Sequence, residues 1–445
     1  MLTGIIVVVI FVAMALLMML RKIPALLALP IMAVLIGIAG GLPASGDEGI
    51  LTYVLSTGAQ KLAGTYVAIL FSCWLSQILY RTGVTDTIIK KAAEFGGDKP
   101  FVISICLCAV TVFLFTVLYG TGAVAMVGSI VLPIMLSVGV PPIVACNAFL
   151  AAMTGGYVIN PANISAITNI TGVEASVMYL CAGILTACSC VFCLGYLALS
   201  FKKNGKKFAF AAPVDGAVRQ EGVPGINSAQ QEPEERPEQV KGVRGLMACL
   251  TPLVVVLVML IFKFQAITVF LIGIVWAMIF TVKGKWSKYS GMIVQSCYEG
   301  FKEGAPTTGL MFGIGMIINA MTAPTTQAAI NPFMEAITPT TAVGLIVFVC
   351  LLCPLGLYRG PFNLLGLGAG LAASMLAVNV LPVAALSAVF YAAFRWPTQS
   401  CPTSTQVVWA SNYVGFDPIT TTNKVFLPNW IFTAVTVVIM TLIYF

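Results

Sequence analysis

Uncharged apolar runs of membrane-spanning length follow one another along most of this chain, and nothing else constrains its fold so strongly. The first, Met1 to Leu20, carries no charge before Arg21-Lys22. It lacks an A-x-A-like cleavage site and reads as a retained span rather than a signal peptide. A transmembrane helix needs about 20 apolar residues, so this length of chain has room for on the order of ten spans. Charged residues make up 9% of the sequence. A soluble domain carries about a quarter, so a water-soluble globule is excluded.

Histidine is absent, which removes histidine zinc sites, Ser/His/Asp and Cys/His pairs and a histidine proton relay together. The net charge of +7 lies in loops rather than along one folded face, so nucleic acid is not a partner. The 13 cysteines fall mostly inside apolar runs. The CxxC spacings Cys190/Cys193 and Cys350/Cys353 have no polar loop or second ligand pair and read as small apolar helix residues.

One stretch, 203–244, holds Pro213, Pro224, Pro233 and Pro237 and no apolar run, and reads as a solvated cytoplasmic linker. The flanking parts, 1–202 and 245–445, repeat each other. Pro100 and Leu118-Tyr119 match Pro339 and Leu357-Tyr358 at an offset of 239, and Val140 and Pro142 match Val380 and Pro382 at 240. Asn160-Pro161 matches Cys401-Pro402 at 241, and Asn169 with Gly172-Val173-Glu174 matches Asn412 with Gly415-Phe416-Asp417 at 243. Ordered matches with a slowly drifting offset predict an internal duplication.

Each part shows the same elements. In the first, spans at about 4–20, 24–41 and 64–80 precede an interfacial amphipathic helix within Thr85 to Lys99. A re-entrant hairpin over about 101–140 follows, then an interrupted span over 142–173 and a closing span at about 176–200. In the second, spans at about 247–262, 267–282 and 306–322 lead to an amphipathic stretch through Ile330, Phe333, Met334 and Ile337. A hairpin over about 340–379, an interrupted span over 382–414 and a closing span at 425–445 complete it.

The expected fold is an all-α polytopic membrane protein of two repeats, each with five membrane spans, one interrupted, plus one re-entrant hairpin. Five crossings are an odd number, so the repeats have inverted topology. With the linker inside, 19 of the 23 Lys and Arg fall in the cytoplasm, among them Arg21, Lys206, Lys207, Lys283, Lys285 and Lys288. Positive residues favour that side, which puts both termini outside.

A helix interrupted in lipid leaves backbone groups unpaired, at several kcal/mol each, so the four breaks mark a polar cavity. Tyr119, Gly120, Thr121 and Gly122 form one hairpin tip, and Tyr358, Arg359 and Gly360 the other. The first interruption offers Asn160, Pro161, Asn163 and Ser165, and the second offers Arg395, Thr398, Ser400, Cys401, Pro402, Thr403, Ser404 and Thr405. Arginine inside a membrane costs about 2.5–3.5 kcal/mol and is retained for a reason. A guanidinium suits a carboxylate, and exposed helix N-termini add positive charge. The solute is therefore expected to be a small organic anion. No Asp, Glu or His occurs in 101–173 or 340–416, so the site has no obvious protonatable carrier. The coupling ion is Na+, held near Thr121, Asn160, Asn163, Ser404 and Thr405, or H+ carried on the substrate. No other cofactor is expected.

This pattern resembles the ion transporter superfamily, which includes gluconate, citrate and C4-dicarboxylate permeases. Thr121-Gly122-Ala123 leading into Met126 to Ile134 is similar to their apolar hairpin arms, and the resemblance covers both repeats but not the linker. It departs from the dicarboxylate branch, whose tips carry Ser-Asn-Thr where this chain has Tyr119-Gly120-Thr121 and Arg359-Gly360-Pro361. The resemblance implies a homodimer built on scaffold spans, with hairpins and broken helices moving as an elevator.

The function expected is cation-coupled symport of sugar acids or di- or tricarboxylates, by a multi-pass protein of a bacterial inner (cytoplasmic) membrane. A membrane subunit of a binding-protein-dependent uptake system is one alternative. An intramembrane enzyme is another, weakened by the lack of acids and histidines at the breaks. No G-x-x-x-x-G-K-[ST] motif points to ATP hydrolysis.

Overall fold

A computed structural model describes residues 2–20, 22–97, 99–204, 240–282 and 286–445, and the described chain is helical without strands. Most of the expected linker, 205–239, lies outside the described residues, as do Arg21, Lys206, Lys207, Lys283 and Lys285. The flanking helices run to the linker's expected edges and slightly into them: Ala175–Asn204 on one side, Gly242–Cys249 on the other.

By length and apolar composition, four of the described helices can cross a bilayer: Ile50–Arg81, Ala175–Lys202, Ala342–Arg359 and Pro418–Tyr444. Two bent pairs raise this to as many as six. One of them, Pro142–Tyr157 with Pro161–Thr171, turns by 63° at the first expected interruption. Pro161 causes the break, because it supplies no N–H to the preceding turn and fixes a new helix start. The other pair, Gly242–Cys249 with Thr251–Phe262, turns by 47° ahead of Pro252.

The first hairpin has arms Pro100–Phe115 and Thr121–Ser137. The second is less regular: Ala342–Leu352 runs on into Cys353–Arg359, a short 3-10 segment that breaks at Leu357 and Tyr358, and the return arm, Gly368–Ala377, begins only after an irregular stretch. The second interrupted segment consists of Val383–Ser400 and Thr405–Tyr413. The amphipathic stretches are helices Val84–Phe95 and Pro324–Ile337.

The helix expected at 306–322 is one 37-residue helix, Trp286–Thr322. Its first half is too polar to read as a span, because Glu299, Lys302 and Glu303 interrupt the apolar pattern. It nevertheless packs along Ala25–Ala39 and Ala63–Arg81. Most of the hairpin arms and interrupted segments and the helices Ala175–Asn204 and Pro418–Tyr444 pack among themselves beside this group, while the return arm Gly368–Ala377 rests chiefly on Trp286–Thr322.

Candidate functional site

The first hairpin tip is buried at Val117, Leu118 and Tyr119, where each peptide group needs a partner, and its neighbours provide them. From helix Ala63–Arg81, Ser72 Oγ donates to the Val117 carbonyl at 2.6 Å and Ser76 Oγ accepts from the Tyr119 N–H at 3.0 Å. Cys73 Sγ approaches the Tyr119 carbonyl at 3.5 Å. Asn160 Nδ2 donates to the carbonyls of Phe115 and Leu118 at 3.3 and 3.2 Å, while its Oδ1 caps the next helix by accepting from Ala162 N. Gly120, at φ 93°, makes the turn, and Tyr119 stacks on Tyr157 with ring centroids 4.8 Å apart.

The second tip is tied by its own residues. Tyr358 and Arg359 both stand in the left-handed region, at φ 56° and 64°, a conformation that costs side-chain-bearing residues about 1–3 kcal/mol each and persists where surroundings enforce it. Arg359 Nη1 donates to the Leu365 carbonyl at 3.0 Å, and the Arg359 carbonyl accepts from Leu367 N at 3.2 Å. Asn363 Oδ1 accepts from Leu365 N at 3.0 Å. Tyr358 N donates to Cys401 Sγ at 3.1 Å, which joins this tip to the second interruption.

The two tips and the second interruption line one cavity of about 60 Å³. Of the residues singled out from the sequence, Tyr119, Gly120, Thr121, Arg359, Thr398, Cys401, Ser404 and Thr405 line it. Two helix N-termini without side-chain caps open onto it, those of Thr121–Ser137 and Thr405–Tyr413. Their first residues are joined by a 3.0 Å hydrogen bond from Thr121 Oγ1 to Thr405 Oγ1. The positive ends of two helices and a guanidinium thus converge on one space. No protein carboxylate lies within ion-pair distance of Arg359 among the described residues.

The other sequence candidates stand elsewhere. Arg395 is fully buried away from the cavity lining. Its Nε donates to Ser189 Oγ at 2.8 Å, its Nη1 donates to Asn429 Oδ1 at 2.9 Å, and its guanidinium lies 5.0 Å from the ring centroids of both Phe192 and Phe432. It joins Val383–Ser400 to Ala175–Asn204 and Pro418–Tyr444. Ser400 accepts from Asn429 Nδ2 through its hydroxyl and from Thr422 Oγ1 through its carbonyl.

Asn160 is occupied by the first tip and Asn163 Nδ2 by the Tyr157 carbonyl at 2.6 Å, so neither amide nitrogen is directed at a solute. Pro161 is buried at the helix start. Ser165 faces Asn169 and Thr65. Gly360 turns the second tip, Thr403 bonds to Cys401 Sγ beside Pro402, and Gly122 abuts Glu303.

Several lining residues were not among the candidates. Tyr157 and Gln406 stood inside the runs that drew attention, and Gln406 Nε2 donates across the interruption to the Thr398 carbonyl at 3.2 Å. Asn363 lies in the tip loop, whose irregular length no periodicity announces. Thr307 arrives on the long helix, and only tertiary packing could reveal it.

The model of a family described as "Citrate transporter" matches residues 1–293. No curated protein matches the chain significantly. Among solved structures, the Alcanivorax borkumensis YdaH transporter, described as having an unusual topology, is similar, with a TM-score of 0.53 at 13% identity. The alignment covers 96% of this chain and 97% of that one, and at that identity it bears on the fold alone.

Proposed function

This chain belongs to the citrate transporter family, and from that premise we propose that it carries citrate or a closely similar di- or tricarboxylate across the membrane as a cation-coupled symporter. Membership itself makes the chain an integral multi-pass transporter of organic anions and not an enzyme.

One observation carries the proposal of a carboxylate substrate. Arg359 sits at a hairpin tip on the cavity wall, between two uncapped helix N-termini, with no protein counter-ion among the described residues. Burying positive charge without a partner is costly, and a carboxylate bound there supplies the missing charge through parallel N–H bonds. The hydroxyls of Thr121, Thr398, Ser404 and Thr405 give further donors and acceptors for carboxylate and hydroxyl oxygens. We read the parts 1–202 and 245–445 as inverted repeats around this cavity, joined by the linker 203–244. Both termini face outward, and a homodimer moves its hairpins and interrupted segments as elevators past scaffold spans in a bacterial inner membrane.

The test is uptake of labelled citrate by liposomes containing the purified chain alone, under imposed Na+ or H+ gradients. Accumulation dissipated by collapsing one gradient supports the reading and names the ion. No uptake of any member of a sugar-acid, di- and tricarboxylate panel under either gradient overturns it.

A further inference from the structure

The sequence places no acid on the hairpins or interrupted spans, yet the fold brings one to the first tip. Glu303, on helix Trp286–Thr322, lies against the start of the arm Thr121–Ser137: a Cβ added to Gly122 would overlap Glu303 Oε1, and one added to Gly120 would lie 3.7 Å from the Glu303 Cβ. Gln77 Nε2 donates to Oε1 at 2.6 Å. Oε2 is buried and has no hydrogen-bond partner.

The charged and titratable groups around it are few. From Ala63–Arg81 they are Cys73 and Arg81, and Arg81 approaches Gln77 Oε1 through Nε at 3.5 Å rather than pairing with the acid. From its own helix they are Glu299 and Lys302, which pair with each other at 3.7 Å on an exposed face. The hairpin presents only the glycines and, through its carbonyl bonded to Cys73, Tyr119. No cation lies within ion-pair distance of the carboxyl among the described residues.

We propose that Glu303 is the proton-binding residue that couples transport to H+: it carries a proton while the first hairpin tip is seated against it and releases that proton when the tip moves away. This rests on the secondary-transporter reading above and chooses H+ over Na+. One neutral donor and one orphan oxygen leave an ionised carboxylate undercompensated in this contact, whereas a neutral acid packs against the glycine backbone without an unpaired charge. Seating the tip and taking up one proton on Oε2 therefore favour each other, and linkage makes the preference reciprocal. The tip also lines the carboxylate cavity through Tyr119, Gly120 and Thr121, so proton and substrate act on one moving element. Thr307, four residues along the same helix, reaches that cavity as well.

The test compares wild type with Glu303→Gln in citrate-containing liposomes and by infrared difference spectroscopy of the purified chain as pH is raised. Wild type should show loss of a protonated-carboxyl band that the variant lacks. Glu303→Gln should lose accumulation driven by a pH gradient by on the order of tenfold or more, while its equilibrium exchange of labelled citrate continues without pH response. Gly122→Ala leaves the acid in place and pushes the tip off it, so it should remove the band at neutral pH, which keeps the test decisive should Glu303→Gln fold poorly. Gradient-driven accumulation in Glu303→Gln equal to wild type, or a band unchanged by it, overturns the proposal. Failure of wild type to take up any carboxylate would overturn the transport reading, while the infrared comparison still decides the protonation of Glu303.

Discussion

The two hairpin tips make the same turn with different means. At the offset of 239 that relates Tyr119 to Tyr358, Gly120 corresponds to Arg359, and both are left-handed, at φ 93° and 64°. The first tip uses the residue that adopts this conformation freely and borrows its hydrogen bonds from Ser72, Ser76 and Asn160. The second puts a charged side chain in the same place, accepts the strain, and ties itself together through Asn363 and Leu365. Strain held at a cavity wall points to selection for what the side chain does there. The first tip is a docked, neutral wall, and the second carries the charge.

The largest expected break in that comparison is Arg359→Ala. It should remove about 2–5 kcal/mol of carboxylate interaction and abolish citrate uptake while the purified protein remains folded. Arg359→Gly should be equally inactive yet more stable than the Ala variant by about 1 kcal/mol, read from thermal unfolding in detergent. Wild-type transport in either variant would remove Arg359 from the site.

Arg395→Ala should separate the roles of the two arginines. With Ser189 and Asn429 left unpaired it should destabilise the protein by about 3 kcal/mol and leave the citrate Kd within about twofold of wild type. A large loss of affinity at unchanged stability would reverse the assignment.

Ser76→Ala tests the borrowed hydrogen bonds of the first tip. It strands the buried Tyr119 N–H and should cost about 1–3 kcal/mol, seen as a lower Tm and faster amide exchange at Tyr119. The smallest effect concerns the far ends of the return arms, where Gly139 and Asn379, 240 positions apart, are again both left-handed, at φ 86° and 57°. Asn379→Gly should raise stability and Gly139→Asn lower it, each by about 0.5 kcal/mol. A loss of stability in Asn379→Gly, or a gain in Gly139→Asn, would show that the two ends are not equivalent.

Much of the helical order was legible because apolar runs and prolines act locally. Pro161 ends one helix and starts another whatever surrounds it, and the interruption at Asn160-Pro161 stands where the sequence places it. The polar first half of Trp286–Thr322 was not legible, because Glu299, Lys302 and Glu303 break an apolar pattern that the helix itself does not need to continue. The two arginines looked alike for a related reason: sequence reports that a charge lies in an apolar layer, not which neighbours answer it.

The sequence by itself determined that this is a membrane-embedded helical chain and where its helices break at prolines. These follow from hydropathy and proline geometry, which act over a few residues. Only the tertiary structure decided which groups share the cavity. It directed Asn160 into holding a tip, enclosed Arg395 between Phe192 and Phe432, left Arg359 without a counter-ion among the described residues and laid Glu303 against Gly122. Desolvation and hydrogen-bond completion depend on neighbours distant in the chain, and no local pattern encodes them.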